Sequence, residues 1–175
     1  MSSPEGILSR LKTFSPRHRH YIAMVLKEII SHYDTSLVGL AIFGSYARGE
    51  NRLNSDLDIL IILEEAPSLS RRLKEFVEEI EMKYEALAQE LYEEEEILCE
   101  LSPYILTRKE ALKLQPIYYD LVKHHLIIYD PEGLIARIID STKRLLESSQ
   151  ASRTNCSNSW EWSLEKIGFP GGIDL

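Results

Sequence analysis

Cysteine is almost missing from this chain: Cys99 and Cys156 are its only two. Cys99 falls in an apolar run and reads as a buried thiol. Cys156 lies in a polar stretch, and nothing suggests that the two are paired or bind zinc. No apolar stretch approaches the length of a membrane span. The opening "MSSPEGILSRLKTFSP" lacks the continuous apolar core of a secretory signal. A reducing cytoplasm with no membrane contact is therefore the expected setting. Basic residues are in deficit too, with 20 Lys and Arg against 28 Asp and Glu. The resulting formal charge of −8 argues against a general nucleic-acid binder, whose phosphate contacts need a basic face. It leaves nucleotide binding open, because a few local donors and a metal suffice for that. Internal repeats are absent. His18, His20, His32, His124 and His125 show no ligand spacing with acidic partners, and His124-His125 suits a helix end, where positive charge is favourable.

What is present suits one globular core. The 175 residues are 44% hydrophobic and 27% charged, enough for a single core with a small extension. Residues 17–33 carry Tyr21, Met24, Val25, Leu26, Ile29 and Ile30 at helical spacing behind a Ser15-Pro16 cap. "LVGLAIFG" predicts a strand, and "DLDILIIL" a second one whose apolar run implies cover on both faces. A long helix is expected from Pro67-Ser68 through the acidic run Glu93 to Glu96, which reads as a solvated helix end. "ILCELSPYIL" predicts a third strand with Glu100 in its middle and Pro103 at an edge or bulge. Thr107 to Glu110 forms a capping-box pattern that opens another helix, which Pro116 interrupts and "IYYDLVKHH" resumes. "LIIYD" is a brief strand, followed by a helix from Pro131. The expected class is α/β (α+β), a small mixed β-sheet flanked by helices with a C-terminal helical extension. The division that follows is a main domain over 1–130, a packed helix over 131–148, and a linker with an aromatic tail containing Trp160 and Trp162 over 149–175.

One stretch is unlike a strand built for stability alone. In "GSYARGENRLNSDLDILII", Asp56 and Asp58 sit at the head of an apolar strand, two apart, so both side chains lie on one face. Buried carboxylates cost several kcal/mol unless something pairs with them. Two close together repel, so one should titrate high unless a cation is present. Mg²⁺ resolves this, since it prefers carboxylate oxygens completed by water and substrate phosphates. Two such ions, about 3.5–4 Å apart, would stabilise the attacking and leaving oxygens of a nucleotidyl transfer. Gly44-Ser45 supplies the complement. Glycine lets the backbone come close, and the following amides and the Ser45 hydroxyl can face phosphate oxygens. If "SYAR" starts a short helix, its dipole favours the same anion. Arg48 either neutralises a phosphate or pairs with a nearby acid. Gly49 is a turn or cap residue.

Each piece is common, but the combination is not: an apolar strand, Gly-Ser, a ten-residue spacer from Tyr46 to Ser55, then Asp-x-Asp leading another apolar strand. It resembles the nucleotidyltransferase superfamily that includes DNA polymerase β, and especially its minimal stand-alone branch in prokaryotes, archaeal members included. The resemblance implies a nucleotidyltransferase fold whose Gly44-Ser45 loop, with Arg48, grips the triphosphate of ATP or another nucleoside triphosphate. It implies that Asp56 and Asp58 bind Mg²⁺ and that a third carboxylate completes the site and helps to activate the acceptor hydroxyl. Glu100 is the candidate for that place, although the family more often has aspartate there. Asp120 and Asp130 are weaker alternatives, and an exposed edge-strand role for Glu100 stays open. Minimal members often act as antitoxins that add AMP to a tyrosine of a helical HEPN-type toxin, so protein adenylylation is the implied activity. Modification of a small molecule such as an aminoglycoside is a second enzymatic option. A non-catalytic binding module that retains the fold is a third reading. The acceptor and the oligomeric state, a homo-oligomer included, are left open.

Overall fold

A computed structural model describes residue 6, residues 8–149, and two strands within 152–163. Helix α1 (Pro16–Tyr33) begins where expected. The Ser15 hydroxyl accepts from the His18 amide at 3.1 Å, and Pro16 occupies the first turn, where its missing N–H costs nothing. Its buried face is His18, Tyr21, Ile22, Val25, Leu26, Ile29 and Tyr33, a helical stripe that includes one histidine.

Strand β1 (Leu37–Ile42) leads into the short helix α2 (Gly44–Arg48) and then β2 (Leu57–Leu63). Helices α3 (Leu69–Phe76) and α4 (Glu85–Glu95) precede β3 (Leu101–Thr107). Short α5 (Arg108–Ala111) and α6 (Tyr118–Leu121), strand β4 (Leu126–Tyr129) and the long α7 (Leu134–Ser149) follow. The sheet order is β3-β2-β1-β4, with β2 and β3 parallel and the other pairs antiparallel, so the sheet is mixed. Odd residues of β2, such as Ile59 and Ile61, join the core shared with α1, α3 and α4. Even ones, Leu60 and Ile62, join Tyr118, Leu121, Leu134 and Ile135 from α6 and α7. Strand β2 is thus covered on both faces, as its apolar run predicts. Gly39 sits at the β1 bulge because a Cβ there would fall 2.7 Å from the Ile135 side chain of α7.

Several local expectations differ. The helix expected from 69 to 95 opens into a wide turn over Val77–Glu81 and a tight one over Met82–Tyr84. Phe76, Ile80 and Tyr84 recur every fourth residue and all pack toward the α1 side of the sheet, and a wider turn keeps that spacing on one face. The third strand begins at Leu101 instead of Ile97, so Glu100 precedes it rather than lying in its middle. The Leu98 amide donates to the Leu53 carbonyl at 2.7 Å, which ties this segment to the turn before β2 and away from the sheet ladder. Within the stretch expected as a linker with an aromatic tail, the backbone forms β5 (Ser152–Cys156) and β6 (Ser159–Ser163), paired antiparallel, with Cys156 ending the first and Trp160 and Trp162 in the second. The rest of the tail lies outside the described residues.

The Thr107 capping box is present. Thr107 Oγ1 accepts from the Glu110 amide, and the Glu110 carboxylate accepts from the Thr107 amide. The helix it starts is a single turn, however, and the one resumed after Pro116 spans only Tyr118–Leu121. The adjacent His125 Nδ1 donates to the Leu121 carbonyl at 2.5 Å, closing that helix end.

Candidate active site

The site is built where β1 hands over to α2 beside the start of β2. Phe43 is extended and its amide donates to the Asp58 carbonyl at 3.1 Å, so Gly44 is held next to Asp58. Gly44 has φ +67°, a left-handed conformation that favours glycine, and a Cβ there would fall 2.0 Å from Asp58 Oδ2. The glycine therefore serves two needs at once, a turn and room for a carboxylate. Helix α2 follows immediately, with Tyr46 buried beneath it and Gly49 closing it at φ +70°. Ser45 lies in its first turn, half-buried. Arg48 Nε donates to Glu50 at 2.9 Å, which is the ion-pair alternative for that residue, and its charge also acts on Asp58.

Asp58 is half-buried and Asp56 is exposed at the strand start. Burial pushes the Asp58 carboxyl up to about 6. A hydrogen bond from Ser102 opposes the shift, Asp56 adds to it, Arg48 opposes it, and Asp120 of α6 adds to it again. Asp58 pairs with Ser102 across the parallel β2–β3 ladder, which explains the serine's place. The sequence offers no sign of Ser102, since the relation exists only once the two strands lie side by side. Asp120 reaches the same end of β2 because α6 packs on the even face to which Asp58 belongs.

The candidate third carboxylates fall in different places. Glu100 is exposed just before β3, its carbonyl accepts from the Leu57 amide at 2.9 Å, and its charge raises Glu81 on the α3–α4 connection. Asp120 acts on Asp58 directly. Asp130 caps α7, its two oxygens accepting from the Ile135 and Ala136 amides at 3.2 and 3.0 Å, a structural use. Among the described residues no three His, Cys, Asp or Glu side chains gather to hold a metal ion. The arrangement offers two carboxylates, one of them strained by burial and like charge. That donor set fits a hard divalent ion whose remaining ligands are water and phosphate oxygens.

Comparison with known proteins agrees with this geometry. A family profile described as a nucleotidyltransferase domain matches residues 23–145. MJ1215 from Methanocaldococcus jannaschii is 35% identical over 75 residues, 42% of this chain and 77% of its own length. The protein adenylyltransferase MntA of Thermococcus cleftensis is 43% identical over 54 residues, so the match spans 30% of this chain and about half, 52%, of that relative. A spectinomycin adenyltransferase, AAD(9) from Enterococcus faecialis, solved with ATP and spectinomycin, shares the fold at 17% identity and a TM-score of 0.51, over 75% of this chain and 68% of the other. With the Gly-Ser turn, the paired aspartates and the mixed sheet inside the matched region, the chain belongs to the nucleotidyltransferase domain family, and within it to the minimal type.

Proposed function

We propose that the chain is a Mg²⁺-dependent protein adenylyltransferase that moves AMP from ATP to a hydroxyl of a partner protein. The observation that supports this is the close approach of Gly44 to Asp58, a glycine turn set against a half-buried carboxylate held up to about 6. A carboxylate kept in that state wants a cation, and a triphosphate beside it wants the same one. Asp56 and Asp58 would hold the Mg²⁺, which supplies charge neutralisation for the triphosphate. The Gly44–Arg48 turn would orient the phosphates through backbone amides and the Ser45 hydroxyl, with Arg48 adding positive charge. The acceptor oxygen forms a bond to the α-phosphorus as the bond to the bridging oxygen breaks, and pyrophosphate leaves. The hydroxyl proton passes to a site carboxylate, the role that the family resemblance gives to Glu100. Positioning and electrostatics supply most of the rate.

A protein acceptor is supported by the named activity of MntA, and the family resemblance makes it a tyrosine on a helical HEPN-type toxin. A cytoplasmic setting follows from that role. Among the described residues no helix is long and apolar enough to cross a membrane. The test is calorimetric titration of ATP with and without Mg²⁺ into wild-type protein and the Asp56→Asn/Asp58→Asn variant, followed by labelled ATP with a HEPN-type partner. Metal-dependent binding and label on the partner, both lost in the variant, are expected. Wild-type protein that folds yet binds no nucleoside triphosphate overturns the reading and favours inhibition by contact alone.

A further inference from the structure

Helix α1 and the Gly44–Arg48 turn meet through buried polar groups that nucleotidyl transfer does not require. His18 is 1% exposed, Tyr46 3% and Asn51 0%. The Phe14 amide donates to His18 Nδ1 at 3.3 Å, so that nitrogen carries no proton and the neutral ring's hydrogen sits on Nε2. Nε2 lies 3.2 Å from the Tyr46 hydroxyl and donates to it. The Asn51 side chain acts on the same phenol. Its Nδ2 donates to the Lys12 carbonyl at 3.0 Å, and Lys12 Nζ returns a bond to the Asn51 carbonyl at 3.0 Å. Asn51 Oδ1 is buried without a hydrogen bond. The Phe14 ring stacks on the imidazole at 5.6 Å, with the Lys12 ammonium 5.4 Å from the Phe14 centroid. Tyr46 lies two residues after Gly44, and Asn51 lies between that turn and Asp56. Both residues thus lie on the segment that joins the two halves of the candidate site.

Resting on the nucleotidyltransferase reading, we propose that His18 is a positioning residue for the triphosphate: its neutral ring fixes the Gly44–Arg48 turn against α1 through Tyr46 and Asn51, and its protonation releases that turn. A proton on Nδ1 would set two donors, the ring N–H and the Phe14 amide, against each other. The groups facing the ring are Glu95 of α4, Tyr46 of α2, and Lys12 across the Phe14 ring. Asp56 and Cys99 act on Tyr46 instead. Burial lowers His18 below the usual histidine value, and Glu95, itself paired with Arg17, opposes this only in part. The neutral state is therefore the resting one, and release belongs to acid conditions.

The test measures Mg-ATP affinity of the full chain by calorimetry at about pH 7.5 and about pH 5.5, either side of the ordinary histidine range, for wild type, Tyr46→Phe, His18→Ala and His18→Gln. Tyr46→Phe, which loses a single oxygen, is expected to weaken binding about 3- to 10-fold at the higher pH, the range set by one buried hydrogen bond. His18→Ala should weaken it at least as much. His18→Gln, which keeps a donor but cannot titrate, should recover most of that loss and show a smaller fall at the lower pH, the remainder coming from Asp58. Nitrogen-15 spectra of the imidazoles should show His18 as the Nε2–H form. Variants that unfold leave the wild-type spectrum to decide. Equal affinities and equal pH responses in all folded variants, or an Nδ1–H tautomer, would overturn the proposal while the nucleotide site stands. Absence of Mg-ATP binding in wild type would remove the underlying reading and this inference together.

Discussion

Two carboxylates at opposite ends of the sheet are treated in opposite ways. Glu110, at the far end of β3, accepts from Arg72 through both oxygens at 2.6 and 2.9 Å and from the Thr107 amide at 2.8 Å. Arg72 completes the junction by donating to the Pro67 and Ile105 carbonyls at 3.0 and 2.8 Å. The guanidinium beside it holds Glu110 down to about 2. Asp58, at the other end, has one hydrogen-bonding serine and two aspartates acting against it, and burial drives it up to about 6. A structural charge is supplied with its counter-ion by the chain itself. The carboxylate of the candidate site has only the charge of Arg48, itself paired with Glu50, acting for it, which is why a cation from outside is proposed to complete it.

The largest effect that separates these two regions should come from Asp56→Asn/Asp58→Asn. Adenylyl transfer should fall by about a thousandfold or more, as expected when charge stabilisation of the transferring phosphoryl group is removed. Labelled-ATP turnover measures it, and unfolding should remain cooperative. Next in size, Arg72→Met should cost about 2–3 kcal/mol in urea unfolding, at the low end for a broken ion pair because Glu110 is partly exposed. Mg-ATP affinity should barely change in that variant, since Arg72 lies away from the site. An equal loss of affinity would break the contrast.

A third expectation has the opposite sign. Asp58 titrates in the folded state at about 6, above its ordinary 3.8, so the folded protein binds the extra proton between these values. Metal-free stability should therefore fall as pH rises from about 4 to about 6, and Asp58→Asn should remove that slope and raise stability at neutral pH by up to about 2 kcal/mol. Chemical denaturation across this range without divalent ions checks it. The smallest effect is Glu110→Gln, about 1 kcal/mol at neutral pH. Because Glu110 is depressed, its contribution is present above the ordinary 4.5 and is lost as pH falls from there toward about 2.

How much of this could be read from the chain depended on distance along it. Gly44 and Asp58 were legible because they belong to one local stretch whose residue types are unusual for a strand. The capping box was legible for the same reason, with donor and acceptor three residues apart. Arg72 was not, since its partners Ile105 and Glu110 lie 33 and 38 residues away and nothing local marks a buried arginine. His18 shows no ligand spacing in the sequence, and only packing against Tyr46 gives its ring a direction. Glu100 was placed inside a strand by its apolar neighbours. Hydrogen bonding of Leu98 to Leu53 instead delays the strand to Leu101, a competition between turn and ladder that alternation of residue types does not encode.

The antiparallel pairing of β1 and β2 carries a consequence for the growing polypeptide. Gly44, Ser45, Asp56 and Asp58 all belong to this one hairpin unit, whereas Ser102 and Asp120 arrive with β3 and α6. Contacts between near neighbours in sequence close soonest, because little loop entropy is lost in forming them. On a ribosome this half of the candidate site is thus synthesised before the segments that bury and tune it, and a chain halted after Leu63 would carry Asp56 and Asp58 without the shelter that sets their charge state.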